Sequence, residues 1–239
     1  MKAMIFAAGL GTRLKNLTEE KPKALVEFMG KPMLEHVILK LIDAGINDFV
    51  INVHHFADKI ESFLKTNKNF NVNIEISDER DSLLDTGGAV LHAKKLLENT
   101  EYFLIHNTDI ISDINIHNLI ECHKKSESIA TLAVQKRNSS RKLVFNEENF
   151  LCMWRDIHKQ EIKIARNTTK KLTDWSFCGI HVINSSIFKY INEKGKFSII
   201  DLYLRLAKDH KISSFISDHS YWFDLGKTEN IEEAEKLLK

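Results

Sequence analysis

Lys2-Ala3-Met4-Ile5-Phe6-Ala7-Ala8-Gly9-Leu10-Gly11-Thr12-Arg13-Leu14 opens the chain, and its reading decides the fold. Residues 3–8 form a short, unbroken apolar run that stops at a glycine. That is the pattern of a strand buried on both faces. Such a strand belongs inside a sheet covered by helices, so strands and helices should alternate downstream.

They do through the first half. Residues 33–44 carry Met33, Leu34, Val37, Ile38, Leu41 and Ile42 on one helical stripe. Pro32 stands where a first-turn proline is tolerated, and Gly45 where a C′ glycine belongs. Strands are expected at 49–53, 72–76 and 102–106, with helices at 57–65 and 87–97. After a strand at 129–134 the pattern loosens into short strands near 143–145, 151–154 and 162–164. A strand at 175–183, a helix at 198–209, a strand at 221–225 and a helix at 228–239 complete the chain. The expected class is α/β: a three-layer, Rossmann-like domain with a mostly parallel, mixed sheet flanked by helices. No linker, internal repeat or low-complexity tract interrupts it, so one domain over 1–239 is expected, its second half forming a lid or insert.

Composition supports that class. The chain has 239 residues, 43% hydrophobic and 28% charged, with a formal net charge of +1. Only 9 Gly and 2 Pro occur, against roughly 17 and 12 at average usage. Disordered, collagenous and low-complexity classes are excluded. A near-zero net charge argues against a nucleic-acid binder. Cys122, Cys152 and Cys178 are odd in number and form no CxxC pair, which favours a reduced, cytoplasmic setting over a disulfide framework. The apolar opening is short for a signal peptide, runs into Gly11-Thr12-Arg13 with no cleavage-like context, and no run approaches a membrane span.

The chemistry begins where the first strand ends, the edge at which open α/β sheets bind ligands. Gly9 and Gly11 let backbone approach a phosphate closely. Thr12 adds a hydroxyl, Arg13 a planar fork suited to phosphate oxygens, and Lys23 a second, point-like cation. A dinucleotide fingerprint does not fit, because Leu14 occupies the third glycine's place. A Walker-type loop does not fit either, since its Gly-Lys-Ser/Thr ending is missing.

Ala7-Ala8-Gly9-Leu10-Gly11-Thr12-Arg13-Leu14, with Leu17-Thr18 and Lys21-Pro22-Lys23-Ala24-Leu25, resembles the signature of the sugar-1-phosphate nucleotidyltransferases. Further stretches resemble the family in order. Leu84-Asp85-Thr86-Gly87-Gly88-Ala89 looks like the loop that holds the base. His106-Asn107-Thr108-Asp109 looks like the strand end with a metal-binding aspartate. Phe177-Cys178-Gly179-Ile180 is similar to the sugar-site strand, and Trp222-Phe223-Asp224-Leu225-Gly226 to the strand with a second metal aspartate. Compact length and the Asp-Thr-Gly-Gly variant look most like the N-acetylmuramate-1-phosphate uridylyltransferases and the short mannose-1-phosphate guanylyltransferase-like members. Residues 1–135 then form a nucleotide-binding half and 136–239 a sugar-phosphate-binding half.

The resemblance implies transfer of a nucleotidyl group from a nucleoside triphosphate to a sugar-1-phosphate, giving a cell-envelope precursor of nucleotide-sugar type and pyrophosphate. Ala8, Gly9, Gly11, Thr12, Arg13, Asp85, Thr86, Gly87, Gly88 and Asn107 would bind the nucleotide. Lys23 and Gly179 would face the sugar phosphate, and Asp109 and Asp224 would hold Mg²⁺. Arg13, Lys23, Asp109 and Asp224 are the catalytic set. Physically, Asp109 should emerge beside the glycine loop, and Asp224 can join it if its strand belongs to the same sheet. Two hard oxygen ligands facing a phosphate cradle suit magnesium. The attacking phosphate is already ionised, so positioning and charge neutralisation should carry the reaction. Arg13 would hold the triphosphate and the departing pyrophosphate, and Lys23 would neutralise the approaching phosphates.

Some positions depart from the family: Thr108 replaces a glycine, and Lys15-Asn16 replaces an Arg-Pro pair. For a second sugar-phosphate lysine, Lys163 with Glu161 competes with Arg141-Lys142. Asp85 or Thr86 would equally serve as a plain helix N-cap. His54-His55 reads as a loop or core pair; Trp154, Trp175 and Trp222 fall in strands of the second half, with core packing of Trp175 favoured over stacking under a sugar or base. An alternative is a cytidylyltransferase acting on an alcohol phosphate such as phosphocholine. Another is a catalytically silent nucleotide sensor. No hexapeptide repeat points to an acyltransferase β-helix. The expected partners are the two small-molecule substrates, with no nucleic acid and no membrane, in a monomer or small homo-oligomer.

Overall fold

In the computed structural model, which describes residues 1–238, the opening apolar run forms β1 (Lys2–Phe6). A two-residue hairpin, β2 (Glu27–Phe28) and β3 (Lys31–Pro32), precedes α1 (Met33–Asp43). Then follow β4 (Asp48–Val53), α2 (Ala57–Thr66), β5 (Asn73–Asp78), α3 (Asp85–His92) and α4 (Lys94–Leu97). β6 (Tyr102–Asn107) leads through β7 (Ile110–Ser112) to α5 (Ile116–Ser126), which carries Cys122. The second half holds β8 (Ala130–Gln135), β9 (Arg141–Asn146), β10 (Leu151–Asp156), β11 (Glu161–Ile164) and the long β12 (Leu172–Asn184). It ends with α6 (Ile199–Leu206), β13 (Ile212–Ile216), β14 (Trp222–Asp224) and α7 (Thr228–Leu238). Lys239, the last residue of the predicted closing helix, lies outside the described residues.

A ten-stranded mixed sheet runs β11-β10-β9-β12-β6-β1-β4-β5, with β8 and then β13 branching from β12. Its first half is parallel: β1 lies between β4 and β6, and β5 flanks β4. Strand β12 is antiparallel to β6, β8 and β9, so one strand joins the two halves. Successive side chains of β1 feed opposite layers. Met4 enters one core with Val90 of α3 and Tyr203 of α6; Ala3 and Ile5 enter the other with Val37 of α1 and Leu119 of α5. Burying each such large apolar side chain contributes about 1.5–3 kcal/mol.

Helix α1 ends as its sequence predicts. Gly45 adopts φ 81°, Gly45 N donates to Ile42 O, and Ile46 N donates to Leu41 O at 3.0 Å, the paired bonds of a Schellman cap. Several elements differ from the sequence reading, among them the short strands β2, β3 and β7, which it did not include. The predicted helix over 87–97 starts at Asp85 and breaks at Ala93, where ψ is 5°. Strand β13 is unforeseen because Ser213 and Ser214 interrupt its apolar pattern; both are buried, and Ser213 Oγ lies 3.0 Å from Thr131 Oγ1 of β8. Cross-strand hydroxyl pairing makes such polar positions acceptable inside a sheet.

The strand bearing Asp224 is also placed differently. β14 stands outside the main sheet and pairs antiparallel with β7 in a separate ribbon, Asp224 opposite Ile110. A third apolar cluster, including Leu14, Phe28, Leu225 and Ile231, packs α7 beneath the first glycine loop. No helix among the described residues is long and apolar enough to cross a membrane.

Candidate active site

Gly11 has φ 69°, and a Cβ there would stand 2.8 Å from Thr18 Cγ2 and 3.0 Å from Lys23 Cβ. The turn therefore requires glycine twice, for conformation and for space. Leu14 N donates to Gly11 O, and Thr18 Oγ1 donates to the same oxygen at 3.1 Å, closing the loop on itself. At Gly9 a Cβ would meet nothing within 4 Å, so this face is open toward a ligand. Lys15, one of the departures from the family, takes φ 47° where the 3-10 segment Thr12–Thr18 kinks.

Buried polar groups lock the loop to the sheet. Ala7 N donates to Asn52 Oδ1 at 2.8 Å, and Asn52 Nδ2 donates to Glu79 Oε1 at 2.7 Å. Burial raises the Glu79 carboxyl above its ordinary range, against the lowering hydrogen bonds of Asn52 and Leu84. His54 Nδ1 lies 2.6 Å from Glu79 O, so it belongs to this buried network. Thr108, where the family has glycine, hydrogen-bonds through Oγ1 to Phe6 O and is buried. Thr108 N also donates to Phe6 O, at 3.4 Å, so the residue ties the end of β6 to β1.

Beyond that point the chain turns, and Asp109 projects at the sheet's carboxyl edge. Lys23 Nζ forms an ion pair with Asp109 Oδ2. Leu225 N donates to Asp109 O at 2.8 Å, which brings β14 alongside. Gly226 marks where the charges converge. A Cβ built there would stand 2.5 Å from Arg13 Nη2, 2.7 Å from Asp224 Oδ1 and 3.1 Å from Asp109 Oδ2. Burial, then the neighbouring Asp109, raises the Asp224 carboxyl; the Gly226 amide, Arg13 and Lys23 oppose that rise. Arg13, Lys23, Asp109 and Asp224 are thus brought together.

Two cavities meet at this cluster. One, of about 370 Å³, is lined by Ala8, Gly9, Lys23, Asp85, Thr86 and Glu79, among others. The other, of about 480 Å³, is lined by Arg13, Arg137, Lys142, Gly179, Trp222 and Asp224, among others. Asn107 and Asp109 line both. Gly179 lies where the pairing of β12 with β8 shifts register; with φ 73°, it leaves room for Asn107, whose Nδ2 would lie 2.8 Å from a Cβ.

Other predicted positions are used differently. Gly87 and Gly88 both donate their amides to Phe197 O, at 2.9 and 3.2 Å, and neither lines either of these two cavities. A Cβ at Gly87 would run into the Phe197 ring, and one at Gly88 into the Gly195 carbonyl. These glycines serve close packing of α3. Gly11 and Thr12 likewise shape the loop without lining either cavity. Asp85 Oδ1 accepts from Thr86 N at 2.6 Å, while Thr86 Oγ1 accepts from Ile199 N at 3.0 Å, so neither side chain makes an N-cap bond to α3. Lys163 is ion-paired with Asp201 at 2.8 Å, and Arg141 Nε lies 3.7 Å from Asp156. Trp154 and Trp222 line the larger cavity, while Trp175 is buried, in keeping with core packing.

Sequence reasoning missed Asn52, Glu79 and Arg137. The first two carry a recognisable signal, a polar residue within or just after an apolar strand at the carboxyl edge. Asp109 and Asp224 offer hard oxygen donors, and no third His, Cys, Asp or Glu joins them among the described residues. A cation there would complete its shell with water and substrate oxygens, as Mg²⁺ does.

The site is thus a convergence of charges at the carboxyl edge of an α/β sheet, where two cavities meet. The chain belongs to the nucleotidyl transferase family, whose model matches residues 2–239. It is 30% identical over 241 residues to the N-acetylmuramate alpha-1-phosphate uridylyltransferase of Caulobacter vibrioides, covering 99% of this chain and 96% of that one. It is also 30% identical over 231 residues to the mannose-1-phosphate guanyltransferase of Hypocrea jecorina, covering 95% of this chain. The chain spans only 61% of that relative's length. HddC from Yersinia pseudotuberculosis, complexed with GMP-PN, superposes with a TM-score of 0.78 at 21% identity, covering 100% of this chain and 99% of HddC.

Proposed function

We propose that the protein transfers a nucleotidyl group from a nucleoside triphosphate to a sugar-1-phosphate, releasing pyrophosphate. The observation that carries this reading is the convergence of Arg13, Asp109 and Asp224 around Gly226, at the wall shared by two cavities. Two substrates need two compartments and a common reacting centre, and the relatives' names supply the substrate classes.

The smaller cavity would take the nucleotide, with Ala8, Gly9, Asp85, Thr86 and Asn107 as its walls, and Gly11 and Thr12 setting the loop's shape. The larger would take the sugar-1-phosphate beside Gly179. Residues 1–135 thus supply most of the nucleotide side and 136–239 most of the acceptor side. Mg²⁺ would be held by Asp109 and Asp224, and would supply polarisation of the α-phosphate and neutralisation of its charge. Arg13 presents a fork to the triphosphate, and Lys23, held beside Asp109, presents a point charge where the two phosphates approach. An acceptor phosphate monoester is already ionised near neutral pH, so no base is needed. Arg13 and Lys23 act by positioning and by offsetting charge as pyrophosphate departs. The reading places the protein in the cytoplasm, making activated sugars of the kind used for the cell envelope.

The test is a pyrophosphate-release screen of four nucleoside triphosphates against a panel of sugar-1-phosphates with Mg²⁺. Turnover with a sugar-1-phosphate is the expected result. Turnover with phosphocholine alone, or nucleotide binding without any turnover, overturns the reading.

A further inference from the structure

Arg137 follows β8 and reaches back over the ribbon that carries Asp224. Its guanidinium carbon lies 3.5 Å from the centroid of the Trp222 ring, and the ring is itself fixed by Trp222 Nε1 donating to Cys178 O at 2.8 Å. One Nη donates to Phe177 O, while the buried Nε has no hydrogen-bond partner. No ion pair forms between Arg137 and any described residue. The side chain lines the larger cavity together with Asp224.

The other cations of this cavity are differently engaged. Lys163 is paired with Asp201 and Arg141 with Asp156. Arg13 belongs to the Gly226 convergence point. Lys142 donates to Arg137 O at 2.6 Å and to Ser176 Oγ at 2.9 Å, which adds a second positive charge close behind Arg137. Arg137 therefore combines a plane set by the indole, guanidinium donors beyond the one bound to Phe177, and no ion pair of its own, with Asp224 close enough to act on its charge.

We propose that Arg137 binds the phosphate of the acceptor through its free edge, with Trp222 as the platform that sets its plane. This rests on the sugar-1-phosphate reading above. Stacking on the indole leaves the guanidinium only in-plane directions for hydrogen bonding, and a phosphate matches that edge with two oxygens. Because Trp222 is two residues from Asp224 on one short strand, the fork is held in register with the reacting centre.

The experiment has two arms. In the first, Trp154→Phe and Trp175→Phe leave Trp222 as the sole indole, and inorganic phosphate is titrated while its fluorescence is followed. The expected result is a saturable change whose midpoint weakens at least about tenfold when Arg137→Met is added, the loss of a charge-assisted bond pair. Arg137→Lys, which keeps charge without the fork, should fall between; if Arg137→Met does not fold, as read by its circular dichroism, Arg137→Lys decides. An unchanged midpoint overturns the proposal. In the second arm, Arg137→Met in the otherwise unaltered protein should raise the sugar-1-phosphate KM by about tenfold or more, leaving the nucleotide KM within about twofold. Equal increases in both, or a fall in kcat alone, overturn it. Should the unaltered protein turn over no sugar-1-phosphate, the reaction reading fails and the phosphate titration alone decides the role of Arg137.

Discussion

The main-chain amide of Leu225 donates to the carbonyl of Asp109 at 2.8 Å, so the strand ends that carry the two acidic side chains are joined through backbone. Side-chain substitution at Asp109 or Asp224 leaves that bond in place. Asp109→Asn and Asp224→Asn should each lower pyrophosphate release by about 10²–10³, the usual scale for losing one electrostatic contributor. Their thermal midpoints should stay near the unaltered protein's. For Asp224→Asn the midpoint should equal or exceed it, because burial already disfavours the charged carboxylate. A large drop in both activity and melting temperature would count against the assignment.

Gly226→Ala tests the convergence point directly. The added methyl would press on Arg13 Nη2, a movable side-chain end, and on Asp224 Oδ1, which is tied to the Gly226 amide at 2.8 Å. Arg13 can swing aside, so the fold should survive while the charge cluster is displaced. Turnover should fall at least about tenfold, since small misplacements of positioning groups are costly. Unchanged steady-state kinetics in a folded Gly226→Ala protein would show that the cluster tolerates rearrangement.

Gly87→Ala should behave oppositely. Its methyl would overlap the Phe197 ring with Phe197 O 3.0 Å away, so α3 must shift. Overpacking of this kind destabilises by about 1–3 kcal/mol. Chemical denaturation should show a lower midpoint, and the nucleotide KM should change less than the stability does.

Stability should also decline in mild acid, because burial leaves His106 and His181 neutral. Burial pulls both imidazoles down from the usual 6.5 to about 3. The unfolded chain therefore takes up protons below about pH 6.5 that the folded chain refuses until about pH 3, and stability falls as pH drops through that window. The urea midpoint should decrease steadily from pH 7 to pH 4.5. In His181→Gln, which can still hydrogen-bond Tyr203, the slope should be shallower; an identical slope would exclude His181 as a contributor.

Legibility in the sequence followed the physics of each half. The parallel strands β1, β4 and β6 are buried on both faces, so their apolar runs stand out, and the loops at their carboxyl ends announce themselves through Gly9, Gly11, Arg13 and Asp109. Strand β13 hid behind buried serines whose hydroxyls are satisfied by distant partners, Thr131 of β8 for Ser213 and Asn149 of the β9–β10 turn for Ser214. Gly87 and Gly88 looked like ligand-facing glycines, yet the constraints on them are Phe197 and Gly195, over a hundred positions away. Arg137 gave no local sign at all, because its setting is made by Trp222 and Phe177 from other elements. Spacing within a motif is visible in one dimension; a neighbour delivered by a distant strand is not.

The thirteen-residue strand β12 gives this architecture an unusual dependence on an intact chain. It simultaneously borders β6, β8 and β9. A polypeptide stopped after residue 135 would leave β6 with a bare, apolar flank, an invitation to self-association. The two compartments are therefore built on a common selvedge, and neither could be lent to another protein as a freestanding module.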